Sequence, residues 1–175
     1  MQLYHCTIIH IINMAIHQTI DNDKLEKRIL DAYEKLDGAS FEVGIFGGKN
    51  KTTKTSIAFY ALVNEFGMKK KKNNRKIPQR SFMRSTVDEN LNSYHNNIDK
   101  LLNNITKGTD TPHSLLIKMA IMLEGDIKRK IINFNTPANA ESTQWAKGKY
   151  RMKVDNPLID TGAMLAAVTH KVNIK

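Results

Sequence analysis

Apolar residues at Leu25, Ile29, Tyr33 and Leu36 recur at three- and four-residue intervals, which places them along one side of a helix. Asp21 and Asp23 stand before it, where carboxylates favour the positive helix end, and Gly38 stops it. The period then changes. Phe41, Val43 and Ile45 alternate with Glu42 and Gly44, the two-residue repeat of a half-buried strand, so a strand is expected over Phe41 to Phe46, ended by Gly47-Gly48. After the polar stretch GGKNKTTKT, Thr55 or Ser56 can cap a helix through Ile57, Tyr60, Ala61 and Phe66, closed by Gly67.

Two longer helices follow. A basic loop, MKKKKNNRK at 68–76, leads to Ile77-Pro78, where proline disfavours helix at the residue before it. Phe82, Val87, Leu91, Tyr94, Ile98, Leu102 and Ile105 then mark a long amphipathic helix, expected over Thr86 to Lys107 and ended by Gly108. Thr109, Asp110 or Thr111 caps the next helix, and Pro112 falls in its first turn, where the missing N–H costs nothing. Leu115, Met119, Leu123, Ile127 and Ile131 recur every four residues, with Leu116, Met122 and Ile132 widening the face, so the helix over His113 to Phe134 should be central. Residues 135–156 read as a long polar loop in which Trp145 and Tyr150 lie among Lys147, Lys149, Arg151 and Lys153. PLIDTG, the short apolar helix AMLAAV and a strand over His170 to Ile174 close the pattern.

These elements predict an α+β fold: a small antiparallel sheet of the two strands, packed against two long helices plus shorter helices. Residues 21–175 read as a single domain with loops at 68–76 and 135–156. Residues 1–20 read as an N-terminal arm, either disordered or the product of a mis-start, with Met14 competing with Met1 as the true start. A signal peptide is disfavoured, because no Lys or Arg precedes the apolar part.

Length and charge narrow this picture. A chain of 175 residues can bury a real core. With 27 Lys+Arg against 17 Asp+Glu, the formal charge is +10, which suits a polyanion, a membrane surface or an acidic protein face as neighbour. One cysteine, Cys6, excludes an internal disulfide framework. His5, His10, His17, His95, His113 and His170 lie scattered without evident ligand partners, so neither a metal nor a cofactor is expected. No apolar run approaches the roughly 20 residues a membrane-spanning helix needs, so no membrane is expected either.

One triplet invites a catalytic reading. Asp160-Thr161-Gly162 is the sequence on which aspartic proteases build their site, but that chemistry needs two carboxylates sharing one proton within an all-β scaffold. The helices before it do not belong to such a fold. Asp160 or Thr161 is instead expected to accept a hydrogen bond from the first N–H groups of AMLAAV, worth on the order of 1 kcal/mol, while Gly162 lets the chain turn. No catalytic residue is assigned.

The motifs VNEFG at Val63 to Gly67, IPQRSFMR at Ile77 to Arg84 and NPLIDTGAMLAAVTHKV at Asn156 to Val172 resemble the tail completion and head-tail joining (neck) proteins of tailed bacteriophages, the HK97 gp10-like group. In that group a strand reading VGIF precedes a helix ending in NEFG, IPxRPFxR opens a long helix, and KPLIDTGxLxxS leads to a final strand. The order matches across roughly Glu42 to Val172. Ser81 stands where the group favours proline, and Asn156 where Lys or Asp is frequent.

The resemblance implies a structural virion protein, part of the connector region where the tail meets the head. It further implies a homo-oligomer, typically a hexameric ring, beside connector or stopper and tail-tube or terminator proteins. Such a protein belongs to the virion and passes through the host cytoplasm during assembly. Under this reading Glu65, Phe66, Gly67, Pro78, Arg80, Phe82, Arg84, Pro157, Asp160, Thr161 and Gly162 form the structural motif and a candidate ring interface. Phe82 is expected to fill the core, with Arg80 and Arg84 pairing with carboxylates such as Glu65 or Asp160. Lys69, Lys70, Lys71, Lys72, Arg75 and Lys76 are the candidate contacts to DNA in the channel or to a partner. The competing reading is a small basic nucleic-acid-binding protein whose lysine run grips phosphates, although that run carries no interleaved aromatics.

Overall fold

A computed structural model describes residues 23–49, 54–69, 76–149 and 156–174. The expectations for the arm at 1–20 and for Lys70, Lys71, Lys72 and Arg75 lie outside these residues. Among the described residues the helices are α1 (Asp23–Leu36), α2 (Ile57–Phe66), α3 (Met83–Lys107), α4 (Pro112–Asn133), α5 (Glu141–Lys149) and α6 (Ala163–Ala167). The described strands are β1 (Ser40–Gly44), β2 (Met68–Lys69), β3 (Lys76–Ile77) and β4 (Thr169–Asn173). The class is α+β, with β1 beside β4 in one two-stranded sheet and β2 beside β3 in another.

Two readings of the sequence are corrected. The basic loop at 68–76 is anchored at both ends, because β2 and β3 pair antiparallel with Met68 opposite Ile77 and Lys69 opposite Lys76. The loop at 135–156 contains α5, whose backbone closes helical turns onto Ala140 O from Thr143 N and Gln144 N. No described helix is long and apolar enough to cross a membrane.

The chain forms two compact units, each assembled from separated stretches. The first comprises Gly44–Glu89 and Leu123–Thr169. Its buried side chains include Ile45, Ala61, Phe82, Ile127, Ile131, Leu158, Met164 and Val168, with Phe82 and Ile131 wholly inaccessible, and α2 packs on α6. Ser56 caps α2 by accepting from Phe59 N at 3.4 Å.

The second unit comprises the described residues up to Val43, then Asn90–Met122 and the residues from His170. Leu36, Phe41, Tyr94, Ile98, Ile105, Leu115, Leu116 and Met119 are buried there. Arg28 reaches the end of α3, donating from Nη1 to Thr106 O at 3.3 Å. Thr111 caps α4 by accepting from Ser114 N at 3.2 Å, and Asp110 beside it takes an ion pair from Lys118.

The hydrogen bond from Lys118, then those from Ser114 and Thr111 N–H, hold the Asp110 carboxyl down at about 2. Its folded pKa lies below the ordinary carboxylate value, so the unfolded chain takes up this proton first as pH falls. The stabilisation is therefore complete above the ordinary carboxylate range and disappears as pH drops to about 2. Asp110→Asn should lower the denaturant midpoint at about pH 7, and the gap from the parent protein should close near pH 2. An undiminished gap at pH 2 would refute the ion pair as its source.

Candidate functional site

Every residue of NEFG meets the following motif, all within the first unit. Asn64 accepts Arg80 N at its backbone oxygen (2.6 Å) and Arg80 Nη1 at Oδ1 (3.1 Å). Glu65 is 5% exposed, and its carboxylate closes the N-terminus of α3. Oε2 accepts Met83 N at 3.0 Å, while Oε1 accepts Ser81 Oγ at 2.8 Å, Arg84 N at 3.2 Å and Arg84 Nε at 3.0 Å. A carboxylate suits this position because the first N–H groups of a helix lack internal partners and carry its positive end. The guanidinium of Arg84 also lies 4.6 Å from the centre of the Phe66 ring and donates to Glu65 O.

Gly67 has φ 73°, and a Cβ there would stand 2.9 Å from Ile77 O and 3.0 Å from Gln79 N. Only glycine allows the chain to pass so closely with that dihedral. Pro78 lies exposed on the facing segment, and Phe82 behind it is buried.

Arg80 departs from expectation. Among the described residues it pairs with no carboxylate: Nε donates to Pro137 O at 2.9 Å, Nη2 to Ala138 O at 3.0 Å and Asn139 Oδ1 at 3.5 Å. The residue is 7% exposed, and desolvation lowers its pKa from the ordinary arginine value. Carbonyl dipoles replace water around the cation, which ties the segment 137–139 to the start of α3.

Asn139 continues the network by donating to Asn156 O at 3.4 Å, and Asn156 is its centre. Asn156 Nδ2 donates to Ile131 O and Ile132 O, both at 2.8 Å, at the end of α4. Its Oδ1 accepts Leu158 N at 2.8 Å and Ile159 N at 3.0 Å. Lys147 on α5, 5% exposed, donates from Nζ to Asn156 O at 2.7 Å and to Ile159 O. Neither Asn156 nor Lys147 stands out in the sequence as a site residue, since an amide and a lysine in a polar stretch read as solvated. The signal that could have found Asn156 is its place immediately before Pro157 and the apolar Leu158, both buried.

The DTG triplet forms the turn that opens α6. Asp160 is exposed, and Ala163 N donates at 3.4 Å to Thr161 Oγ1, so threonine takes the role expected of either residue. Gly162, φ 77°, is the N-cap of α6. Asp160→Ala should therefore shift the thermal midpoint by the equivalent of no more than about 0.5 kcal/mol, less than loss of a cap. A calorimetric loss of 1 kcal/mol or more, on the order of a lost cap, would show that Asp160 holds the turn.

Charge is concentrated around this unit. Between Val43 and Val87 there are eleven Lys and Arg and one acid, Glu65, so this stretch carries an excess equal to the chain's whole +10. The described cations Lys49, Lys54, Lys69 and Lys76 are exposed, as are Phe59, Tyr60, Leu62 and Phe66 of α2. In the second unit an open groove of about 450 Å³ is lined by Arg28, Asp31, Lys35, Asp110 and His113 among others, with Arg28 and Asp110 already engaged as described.

Among the described residues no group of three or more His, Cys, Asp or Glu is placed to hold a metal ion. The side chains of Glu65, Arg80, Arg84 and Asn156 are bonded to the chain itself. Compared with known proteins, the chain matches no family model, no curated protein and no solved structure.

Proposed function

We propose that the chain is a structural virion protein of a tailed phage or prophage, forming a ring at the head-proximal end of the tail as a tail completion or head-tail joining component. The observation that carries this reading is the interlocking of its motifs. Glu65 binds Ser81, Met83 and Arg84; Gly67 passes against Ile77 and Gln79; and Arg80 reaches Asn139, which donates to Asn156 of the third motif. Motif residues spent on internal bonds suit a part whose work is to hold a shape, and the exposed cations of the first unit suit the path of DNA through a neck.

Deletion of the gene from the phage or prophage tests the reading. DNA packaging should proceed, and electron micrographs of the lysate should show filled or partly filled heads apart from tails that lack a proper terminus. Normal infectious particles would overturn it. The concentration of charge also favours a second reading, non-specific nucleic-acid binding in solution. That reading requires duplex DNA to bind the free protein with affinity falling steeply as salt rises.

A further inference from the structure

The exposed side of α2 is an apolar stripe. Phe59, Leu62 and Phe66, spaced i, i+3 and i+7, are 47%, 38% and 52% exposed, with the Arg84 guanidinium against the Phe66 ring, and the helix's one charged residue, Glu65, is buried. Lys54 precedes the stripe and Lys69 follows it, both exposed. A face of this kind repels its own copy, because the sequence around it holds the whole net positive charge.

A complementary face exists on α1. Leu30 is 55% exposed and Tyr33 36%, and Glu26, Leu30 and Tyr33 recur at i, i+4 and i+7, with Asp37 one residue past the end of α1 and still bonded from N to Tyr33 O, so an apolar pair is bracketed by carboxylates along one side. Glu34 is exposed next to Tyr33. Residues 1–42 hold seven acids against four Lys and Arg, the reverse of the balance around α2. Among the described helices, α1 and α2 place at least two large exposed apolar side chains on one side within two turns.

We infer that α2 of one copy docks on α1 of the next, with Phe59, Leu62 and Phe66 covering Leu30 and Tyr33 while the cations flanking α2 meet the carboxylates of α1. The inference rests on the ring reading above and assigns the surface that joins its subunits. Two different faces meeting make a heterologous contact, the kind that repeats from copy to copy and closes into a ring when the rotation between copies divides a full turn. Apolar anchors ringed by opposite charges give the contact both its affinity and its polarity.

Two double variants of the full chain test this by sedimentation velocity: Phe59→Ser/Leu62→Ser and Leu30→Ser/Tyr33→Ser. All four positions are exposed, so circular dichroism should report an intact fold. The parent protein should assemble, and each variant alone should sediment as a monomer, with association weakened by about 100-fold or more.

An equimolar mixture of the two variants should give a dimer and nothing larger, because the intact α1 of the first variant still accepts the intact α2 of the second. A charge-only variant, Glu26→Lys/Glu34→Lys, should also lose assembly and regain it in mixture with Lys54→Glu/Lys69→Glu. Variants that assemble like the parent would overturn the inference and leave the ring reading standing. A mixture that stays monomeric would also overturn it, as would restoration by an acidic foreign peptide or by duplex DNA alone. A parent protein that remains monomeric would overturn both readings.

Discussion

Replacing Asn156 with alanine is expected to cost about 3–5 kcal/mol, because one side chain holds four backbone groups away from water. Its amide nitrogen serves two carbonyls at the end of α4, and its oxygen serves the N–H groups of Leu158 and Ile159. At 1% exposure the amide itself is closed off from solvent. The thermal midpoint should fall by roughly 6–20 °C. Two carbonyls on one side and two N–H groups on the other also fix the amide's orientation. Asn156→Asp keeps the shape but turns an anionic oxygen toward Ile131 O and Ile132 O. It should lose at least as much near neutral pH as alanine does. A near-normal midpoint for the aspartate variant would mean that α4 is ended by something other than this amide.

Glu65 should show the next largest effect. Glu65→Ala leaves Met83 N and Arg84 N at the start of α3 without their acceptor and strips Arg84 of its ion pair. Breaking a buried pair by removing one partner costs about 3–5 kcal/mol, but Arg84 is 32% exposed and water can recover part of its share, so about 2–4 kcal/mol is expected. Glu65→Gln retains the length and loses the charge that the helix end and Arg84 attract; about 1–2 kcal/mol should follow. Chemical denaturation of the three proteins would measure this order. Equal stability of Gln and Glu would show that hydrogen-bond geometry alone, without charge, closes the helix.

The helices were legible where periodicity and punctuation agreed. Ile57–Phe66 has a serine cap before it and a glycine at positive φ after it, and Pro112–Asn133 opens on proline behind a threonine cap, as read from sequence. The pairing of β1 and β4 followed from two alternating stretches, with boundaries displaced by one or two residues.

Helix α5 was hidden because ESTQWAKGK has few apolar residues and little amphipathic pattern. Two-residue strands such as β2 and β3 are too short to express an alternation at all. The network of Arg80, Asn139, Lys147 and Asn156 was hidden for a different reason. Its acceptors are mostly backbone carbonyls, and a carbonyl leaves no mark in the one-letter code.

The pairing of β1 with β4 sets a late step in acquiring this structure. β1 is made before its partner, which begins only at Thr169, and the second unit also draws on the residues from His170 onward. Contacts of such long sequence separation are slow to form, since the entropy of closing the intervening chain is lost before the pair contributes anything. During synthesis, Ser40–Gly44 therefore waits as an unpaired edge until the chain between it and Thr169 has been made, and an exposed edge is a site for wrong association. Pulse-labelled hydrogen exchange should accordingly find the amides of β1 among the last in the second unit to become protected.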